Sequence, residues 1–305
     1  MNRPFRLLCA AASLALLCRC AGAAPDGVRR VAVPRRATQA LERCGTIASP
    51  LIRESSGLVR SRRFPDIYWT HNDSGDEARL FALRRDGTPV EGPAGPAGIR
   101  VRGARNVDWE DIAADDAGHL FLGDIGNNAN TRRDLVVYVI DEPDPAADRW
   151  ATPVRRLPFH YPDQDGFPPS RRNFDAEALF WARGRLYLIT KHRSDPFATL
   201  YRFDEAGPEG STPLTLLSAF DTRGQVTAAD ASPDGRRLAV LTYGAVWVFE
   251  RPPGSDDYFQ GAVSWMPIRA RQCEALCWDG DRLLLGNEQG EIYCVDPREL
   301  TPLGR

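Results

Sequence analysis

Five times along the chain, a short lead-in of acidic and small residues precedes a turn and a β-rich run, and this repeat limits the fold more than any other feature. A second and a third strand pattern follow each lead-in, and long helical periodicity is missing. The lead-ins are spaced by roughly 45 to 67 residues, which fits a propeller blade with variable loops. They occupy residues 56–59, 109–113, 176–181, 228–232 and 274–278.

The repeat predicts an all-β chain folded as a β-propeller of five blades. The chain ends soon after the third strand of the fifth blade, at residues 291–295, so that blade lacks its own outer strand. We predict that residues 41–47 supply it and close the ring, which removes exposed sheet edges. A six-bladed ring is the alternative, with a blade inside residues 141–172, although the proline density there favours a loop.

The first residues have the pattern of a signal peptide. Two arginines precede an apolar run at residues 7–17, and small residues follow at 21–24. We therefore expect residues 1–23 to be removed on export to the periplasm or the cell exterior. Residues 24–38 are predicted to form a flexible leader and residues 39–305 a single propeller domain.

Cleavage at that point would leave four cysteines in an oxidising compartment, where structural disulfides form. The predicted closing strand places Cys44 beside Cys294 on a neighbouring antiparallel strand, so we expect a disulfide between them. The other two cysteines, Cys273 and Cys277, lie at the fifth lead-in. Whether they pair with each other or stay thiols is left open.

The composition and net charge of the chain limit the kinds of partner it can bind. With 305 residues, 43% of them hydrophobic, the chain can bury the core of one large β domain. A formal charge of −2 provides no basic field that would attract nucleic acid, and no run of about twenty apolar residues exists later in the chain to span a membrane. We expect a monomer that binds a small-molecule or glycan ligand.

Propeller topology predicts where the polar residues meet. The innermost strand of a blade begins at the face where the second strand ends, so both sets of loops share one rim around the channel. The lead-ins bring to this rim Asp108, Glu110, Asp111, Asp175, Glu177, Asp230 and Glu274, and the second-strand loops bring His71, Asn72, Asp73, Asp124, Asn127, Asn128, Lys191, His192, Asn287 and Glu288.

Carboxylates gathered around one axis repel each other, and a cation, a shared proton or nearby arginines can relieve the repulsion. Oxygen ligands are those that calcium prefers, and no histidine and cysteine cluster indicates zinc or copper. We therefore expect calcium at an acidic channel mouth. A purely structural role is the alternative, in which these acids accept hydrogen bonds from backbone amides of the next blade.

Two further sets of candidates lie on the predicted rim. Lys191, the only lysine of the chain, and His71 are placed to touch a ligand, and with Glu110 and Glu177 they form the candidate catalytic set. No GxSxG, HExxH or phosphate-binding glycine loop is present, which argues against acyl-enzyme chemistry. The candidate ligand rim is Asn72, Asp73, Asn127, His192, Asn287 and Glu288.

The stretches at residues 108–112 (DWEDI), 123–128 (GDIGNN) and 175–179 (DAEAL) resemble exported bacterial β-propellers of the phytase-like and esterase-like group. In the phytases of this group, an acidic channel binds calcium ions that hold phosphate and activate water. The resemblance implies a metal-dependent hydrolase of phosphoesters or lactones. A non-catalytic propeller that binds a protein, glycan or small ligand at the same mouth is the alternative. The metal ligands implied by the resemblance are Asp108, Glu110, Asp124, Glu177 and Glu274.

Overall fold

Short β-strands make up most of the described chain, which comprises residues 27–204 and 210–304 of a computed structural model. The predicted signal peptide lies outside the described residues. Three short 3₁₀ helices accompany the strands, at Gly95–Ala97, Tyr258–Gln260 and Pro297–Glu299. The strands in chain order are β1 (Val28–Arg29), β2 (Gln39–Ala40), β3 (Glu42–Thr46), β4 (Ser55–Arg60), β5 (Tyr68–Asn72), β6 (Arg79–Leu83), β7 (Ile99–Val101), β8 (Trp109–Ala114), β9 (His119–Asp124), β10 (Val136–Asp141), β11 (Trp150–Ala151), β12 (Pro153–His160), β13 (Ala176–Ala182), β14 (Arg185–Thr190), β15 (Phe197–Arg202), β16 (Thr212–Pro213), β17 (Thr215–Asp221), β18 (Val226–Ala231), β19 (Arg237–Thr242), β20 (Ala245–Glu250), β21 (Val263–Arg269), β22 (Cys273–Asp279), β23 (Arg282–Asn287), β24 (Glu291–Val295) and β25 (Thr301–Leu303).

These strands form five antiparallel blades around a central channel, and the innermost strands β4, β8, β13, β18 and β22 contact each other pairwise around the ring. Five blades are confirmed, and the six-bladed alternative is wrong. From the channel outward, the blades are β4-β5-β6-β7, β8-β9-β10-β12, β13-β14-β15-β17, β18-β19-β20-β21 and β22-β23-β24-β3, numbered 1 to 5.

The segment that could have hidden a sixth blade instead supplies outer strands to its neighbours. Trp150–Ala151 pairs with the edge of blade 1, and Pro153–His160 is the fourth strand of blade 2. Pro158 is tolerated in that strand because the outermost strand of a blade does not need every amide for pairing. The prediction of a loop was therefore wrong for residues 150–160, and residues 161–175 form the connection to blade 3.

The N-terminal part of the chain closes the ring, as predicted. β3 pairs antiparallel with β24, with Glu42 opposite Cys294 and Gly45 opposite Ile292. A disulfide joins Cys44 to Cys294 across these strands, between residues 250 positions apart in the sequence. Cys273 and Cys277 are buried free thiols. Burial raises the pKa of both, which keeps them protonated and unreactive.

Two-residue strands cover the outer edges of four blades. β11, β16, β1 and β2 pair in parallel with the ends of the fourth strands of blades 1 to 4. Short added strands of this kind protect a sheet edge from pairing with another chain. Residues 27–38, predicted as flexible leader, are therefore in part structured, because Val28 and Arg29 pair with β17 and Val31 is buried in the core.

The core lies between the blades. Second and third strands are buried on both faces, since each blade is packed between two others, and they consequently read as nearly continuous apolar runs. The largest fully buried side chains include Trp69, Trp109, Trp247 and Trp278. None of the helices in the described ranges is long and apolar enough to cross a membrane.

Candidate functional site

Every innermost strand carries a β-bulge within its first residues, at the same end of the channel. The extra residue is Glu177 in blade 3, Thr227 in blade 4 and Glu274 in blade 5. In blade 2 the bulge spans Glu110 and Asp111. A bulged residue leaves the regular ladder and its side chain is re-aimed. The bulges therefore explain why the lead-in acids point toward one mouth.

Five carboxylates converge there, and we call them the mouth cluster: Asp73, Asp108, Glu110, Asp175 and Glu177. Carboxylate oxygens of Asp73, Asp108 and Glu110 all lie within 4.8 Å of one another. Oxygens of Glu110, Asp175 and Glu177 form a second group with the same spacing. Glu110 therefore links two trios that come from blades 1, 2 and 3.

The second trio has its counterions within the protein. Lys191 Nζ lies 2.9 Å from Glu177 Oε1, and Arg193 Nη2 lies 2.6 Å from Asp175 Oδ2. The backbone amide of Asn127 also donates to Asp175 Oδ1 at 2.6 Å. These contacts neutralise Asp175 and Glu177, so this trio has little need of an added cation.

The first trio lacks such partners. Among the described residues, no lysine or arginine forms an ion pair with Asp73, Asp108 or Glu110. Glu110 is 4% exposed, yet its carboxylate accepts no hydrogen bond from the residues that the structure describes. Like charges held this close repel each other unless a cation or a proton intervenes. This part of the mouth therefore combines a high density of carboxylates with the lack of an internal counterion among the described residues.

The electrostatics of the cluster follow from burial and repulsion. Burial, then the neighbouring Asp73 and Asp175, raise the pKa of Asp108 to about 6. Burial and the charge of Glu177 raise the pKa of Glu110 well above its ordinary value. Burial raises the pKa of Glu177 to about 8, although Lys191 opposes the shift. The cluster thus holds protons near neutral pH, and a bound cation would displace them.

Lys191 takes part in a buried network of hydrogen bonds and ion pairs. Besides its ion pair with Glu177, its ammonium donates to the Tyr243 hydroxyl at 3.1 Å, and that hydroxyl donates to Glu274 Oε1 at 2.6 Å. Lys191 is 5% exposed. The lysine therefore links blades 3, 4 and 5 and is not free to serve as the ligand contact that the sequence suggested.

His71, the other predicted contact, is fully buried behind the first innermost strand. Its ring packs edge-on against Trp109 at 5.4 Å, and its Nε2 lies where a Cβ on Gly57 would reach within 2.8 Å. Burial lowers the pKa of His71 to about 4, so the ring is neutral at pH 7. This position packs blade 1 against blade 2 and gives the ring no access to the mouth.

Two of the implied metal ligands lie outside the cluster. Asp124 forms an ion pair with Arg132 at 2.9 Å and accepts the backbone amide of Asp108 at 3.0 Å. Glu274 accepts from Tyr243. Asp108, Glu110 and Glu177 are brought together as expected, and Asp73, predicted only for the ligand rim, joins them.

Most of the remaining rim residues form hydrogen bonds that fix the loops around them. Glu288 is on the rim, where its carboxylate accepts from the Gln272 amide. The other four are fixed by contacts with nearby backbone or side chains, namely Asn72 with the amide of Arg53, Asn127 with the carbonyl of Phe174, His192 with Asp195 and Thr199, and Asn287 with the amide of Glu291.

Below the mouth, Asp111 crosses the channel. Its carboxylate accepts the backbone amides of Ile112, Leu179 and Ala229, which belong to blades 2, 3 and 4. Asp230 similarly accepts the amide of Trp278 in blade 5. For these two acids the structural alternative holds, because each satisfies backbone donors of other blades. A ligand that enters from the mouth meets the cluster first.

Sequence reasoning missed three participants. Asp175 was placed on the rim but was not chosen as a cluster member, and its DxE spacing with Glu177 was the available signal. Arg193 lies two residues beyond Lys191, and Tyr243 lies at the end of the second strand of blade 4, the rim position already used in the other blades. Both could have been found by applying the same topological rule to every blade.

Comparisons with known proteins give remote structural similarities. No family model matches the sequence, and no curated protein matches it. The Cps50 (Swd1) β-propeller domain from Myceliophteria thermophila covers 83% of this chain and 98% of its own, with 12% identity and a TM-score of 0.43. The WD40 β-propeller domain of Doa1 covers 84% and 97%, with 9% identity and a TM-score of 0.42. A chain of the mitotic checkpoint complex covers 89% and 73%, with 12% identity and a TM-score of 0.40. Similarities this remote say nothing about function.

Proposed function

We propose that this chain is a cation-binding β-propeller that holds one divalent ion, calcium by its donor chemistry, at the mouth of its channel. The observation that carries the proposal is the first trio itself: carboxylate oxygens of Asp73, Asp108 and Glu110 lie within 4.8 Å of one another, and no described lysine or arginine forms an ion pair with any of them. A hard cation would supply the missing counterion for all three carboxylates. Oxygen-only ligands favour calcium or magnesium over zinc or copper.

The first trio is the better place for the ion than the second. Asp73, Asp108 and Glu110 have no internal counterion among the described residues, whereas Asp175 and Glu177 are paired with Arg193 and Lys191. A cation at the second trio would have to compete with both pairs. We therefore assign the ion to Asp73, Asp108 and Glu110, with carbonyl oxygens or water completing its coordination.

Export of the protein remains part of the proposal. The disulfide between Cys44 and Cys294 supports it, because such bonds persist in oxidising compartments.

Hydrolysis of phosphoesters or lactones is a second candidate function. The observation that favours it is Arg193, which lies on the rim beside the cluster with its side chain 24% exposed. An ester or phosphate oxygen on the ion would lie within the field of this guanidinium, which suits a developing negative charge. A non-catalytic binding module would use the same charges to hold an anionic ligand.

Thermal melting of protein stripped with EDTA tests cation binding. At a hundredfold excess over Kd, calcium should stabilise the fold by about 2.7 kcal/mol, which for a chain of this size raises Tm by about 5 °C. Asp108→Asn and Glu110→Gln should both remove the shift. Glu54→Gln is the matched control, because the exposed Glu54 side chain acts on Asp73 only through its charge, and the hydrogen bond from the Asp73 amide to the Glu54 backbone carbonyl is kept.

Absence of a calcium shift in the wild-type protein, or a full shift in Glu110→Gln, would refute cation binding at this trio. A panel of phosphoester and lactone substrates then separates the two functions. Turnover that requires calcium and falls in Arg193→Met would support the hydrolase. Binding without turnover would support the module.

A further inference from the structure

The outer edges of blades 1 and 2 carry an arginine-rich surface. We call it the basic edge, and it lies on β7, β11 and the start of β12, which are adjacent because β11 pairs with β7 and β12 follows after one residue. All of its charged side chains are exposed. Its members are Arg100, Arg102, Arg149, Trp150, Val154, Arg155 and Arg156.

Most of these guanidinium groups have no acidic partner. Arg100 pairs with Glu77 at 2.9 Å. Within the described ranges, Arg102, Arg149, Arg155 and Arg156 form no ion pair. Elsewhere in the described structure many arginines form ion pairs with carboxylates, as Arg193 does with Asp175 at the mouth. Four guanidinium groups at this edge therefore have no carboxylate partner within the described ranges.

Two large apolar side chains lie among these arginines. Trp150 is 51% exposed and Val154 is 57% exposed, and both belong to the small group of exposed large hydrophobic residues in the described chain. The Arg102 guanidinium lies 3.6 Å from the centre of the Trp150 ring. Arg156 covers the ring of Tyr138 at 5.2 Å. The edge therefore presents cations held above aromatic groups.

We propose that the basic edge binds an anionic lipid surface. Guanidinium groups bind phosphate oxygens in pairs of hydrogen bonds, and exposed tryptophan beside basic residues is typical of proteins that lie at the interface of a bilayer. Val154 adds apolar area at the same place. This surface is independent of the cation site, which lies at the channel mouth and is formed by other residues.

The arrangement favours lipid over a glycan or a nucleic acid. A sugar or base would stack on the face of Trp150, but Arg102 already covers one face of that ring. An interfacial contact needs only an apolar edge together with nearby cations, and the Arg102–Trp150 pair supplies both. A flat layer of lipid phosphates would be complementary in charge to this surface, because the arginines are spread along strand edges and do not line a groove.

Sedimentation with vesicles tests the proposal. The purified protein, in EDTA and low salt, is mixed with vesicles of phosphatidylcholine alone or with about 30% phosphatidylglycerol. The quantity measured is the difference between the two kinds of vesicle, which removes any binding that does not depend on lipid charge. The test variant is Arg149→Glu/Arg155→Glu, whose wild-type side chains are exposed and form no ion pair in the described structure. The control is Arg84→Glu/Arg269→Glu, an equal charge change at two exposed arginines outside the basic edge.

We expect the wild-type protein and the control to prefer anionic vesicles, and the test variant to lose at least tenfold in affinity for them. Trp150→Ala should weaken the same binding without a change in its dependence on salt. Equal binding to both vesicle types by the wild-type protein, or an equal loss in the control, would overturn the proposal. Binding to heparin or DNA at a salt concentration that abolishes vesicle binding would assign the edge to a polyanion and also overturn it.

Discussion

The disulfide that fastens the ring allows a prediction with a calculable magnitude. Cys44 and Cys294 are 250 residues apart, so the bond restricts almost the entire unfolded chain. The chain-entropy relation gives about 5.5 kcal/mol for a loop of this length, and measured effects commonly reach about 2 to 4 kcal/mol. We expect Cys44→Ser/Cys294→Ser to remain folded, since β3 still pairs with β24, and to lose about 2 to 5 kcal/mol.

Urea unfolding followed by tryptophan fluorescence and far-UV circular dichroism measures this loss, and thermal melting should show a Tm lower by about 3 to 9 °C. Reductant should lower the wild-type protein to the level of the double variant and leave that variant unchanged, which controls for effects on the buried thiols of Cys273 and Cys277. A free energy of unfolding within 0.5 kcal/mol of wild type, roughly the scatter of surface substitutions, would show that strand pairing alone holds the ends together.

Three other substitutions test the electrostatics and the shape of the channel. At pH 9, above the pKa of about 8 of Glu177, Lys191→Met leaves this carboxylate buried without its cation and should cost about 3 to 5 kcal/mol in urea unfolding, with part regained in Lys191→Met/Glu177→Gln. Burial raises the pKa of Asp230 to about 6, so its ionisation lowers the free energy of unfolding as pH rises from about 4 to 6. Asp230→Asn should therefore match the wild type at pH 3.5 and be more stable by up to about 3 kcal/mol at pH 8. Equal stability of the two proteins at both pH values would contradict this. Gly126→Ala keeps every charge but places a Cβ 2.2 Å from Glu110 Oε1, so calorimetry should show calcium affinity at least tenfold lower, and unchanged affinity would argue against the trio.

Much of the architecture was predictable because its signals are long or paired. The second and third strands of each blade are buried on both faces and leave apolar runs of about six residues, which repeat five times. Ring closure could be predicted because a strand-like segment with one cysteine preceded the first blade and another cysteine lay in the last strand.

The two-residue strands at the outer edges could not be predicted. Val28–Arg29 and Gln39–Ala40 are too short to show a period, and their pairing is decided by where the chain returns in space. The outer strand of blade 2 was missed for a different reason, since Pro153 and Pro158 mimic a loop at the one kind of strand that tolerates proline.

At the mouth, the sequence located the rim but not the pairing within it. Topology predicted that Glu110, Glu177 and Lys191 lie at one end of the channel. It could not show that Lys191 forms its ion pair with Glu177 and none with Glu110. His71 is the counterexample. Only the packed structure reveals that this ring lies behind Gly57, where the absence of a side chain makes room for it.

The most direct test of cation binding at the channel mouth is a crystal structure with calcium, and with manganese or a lanthanide in its place to give an anomalous signal. The proposal predicts one peak about 2.3 to 2.6 Å from carboxylate oxygens of Asp73, Asp108 and Glu110 in the calcium form, with the Lys191–Glu177 pair intact. A mouth without a peak at millimolar calcium, or an ion bound only to Asp175 and Glu177, would contradict it.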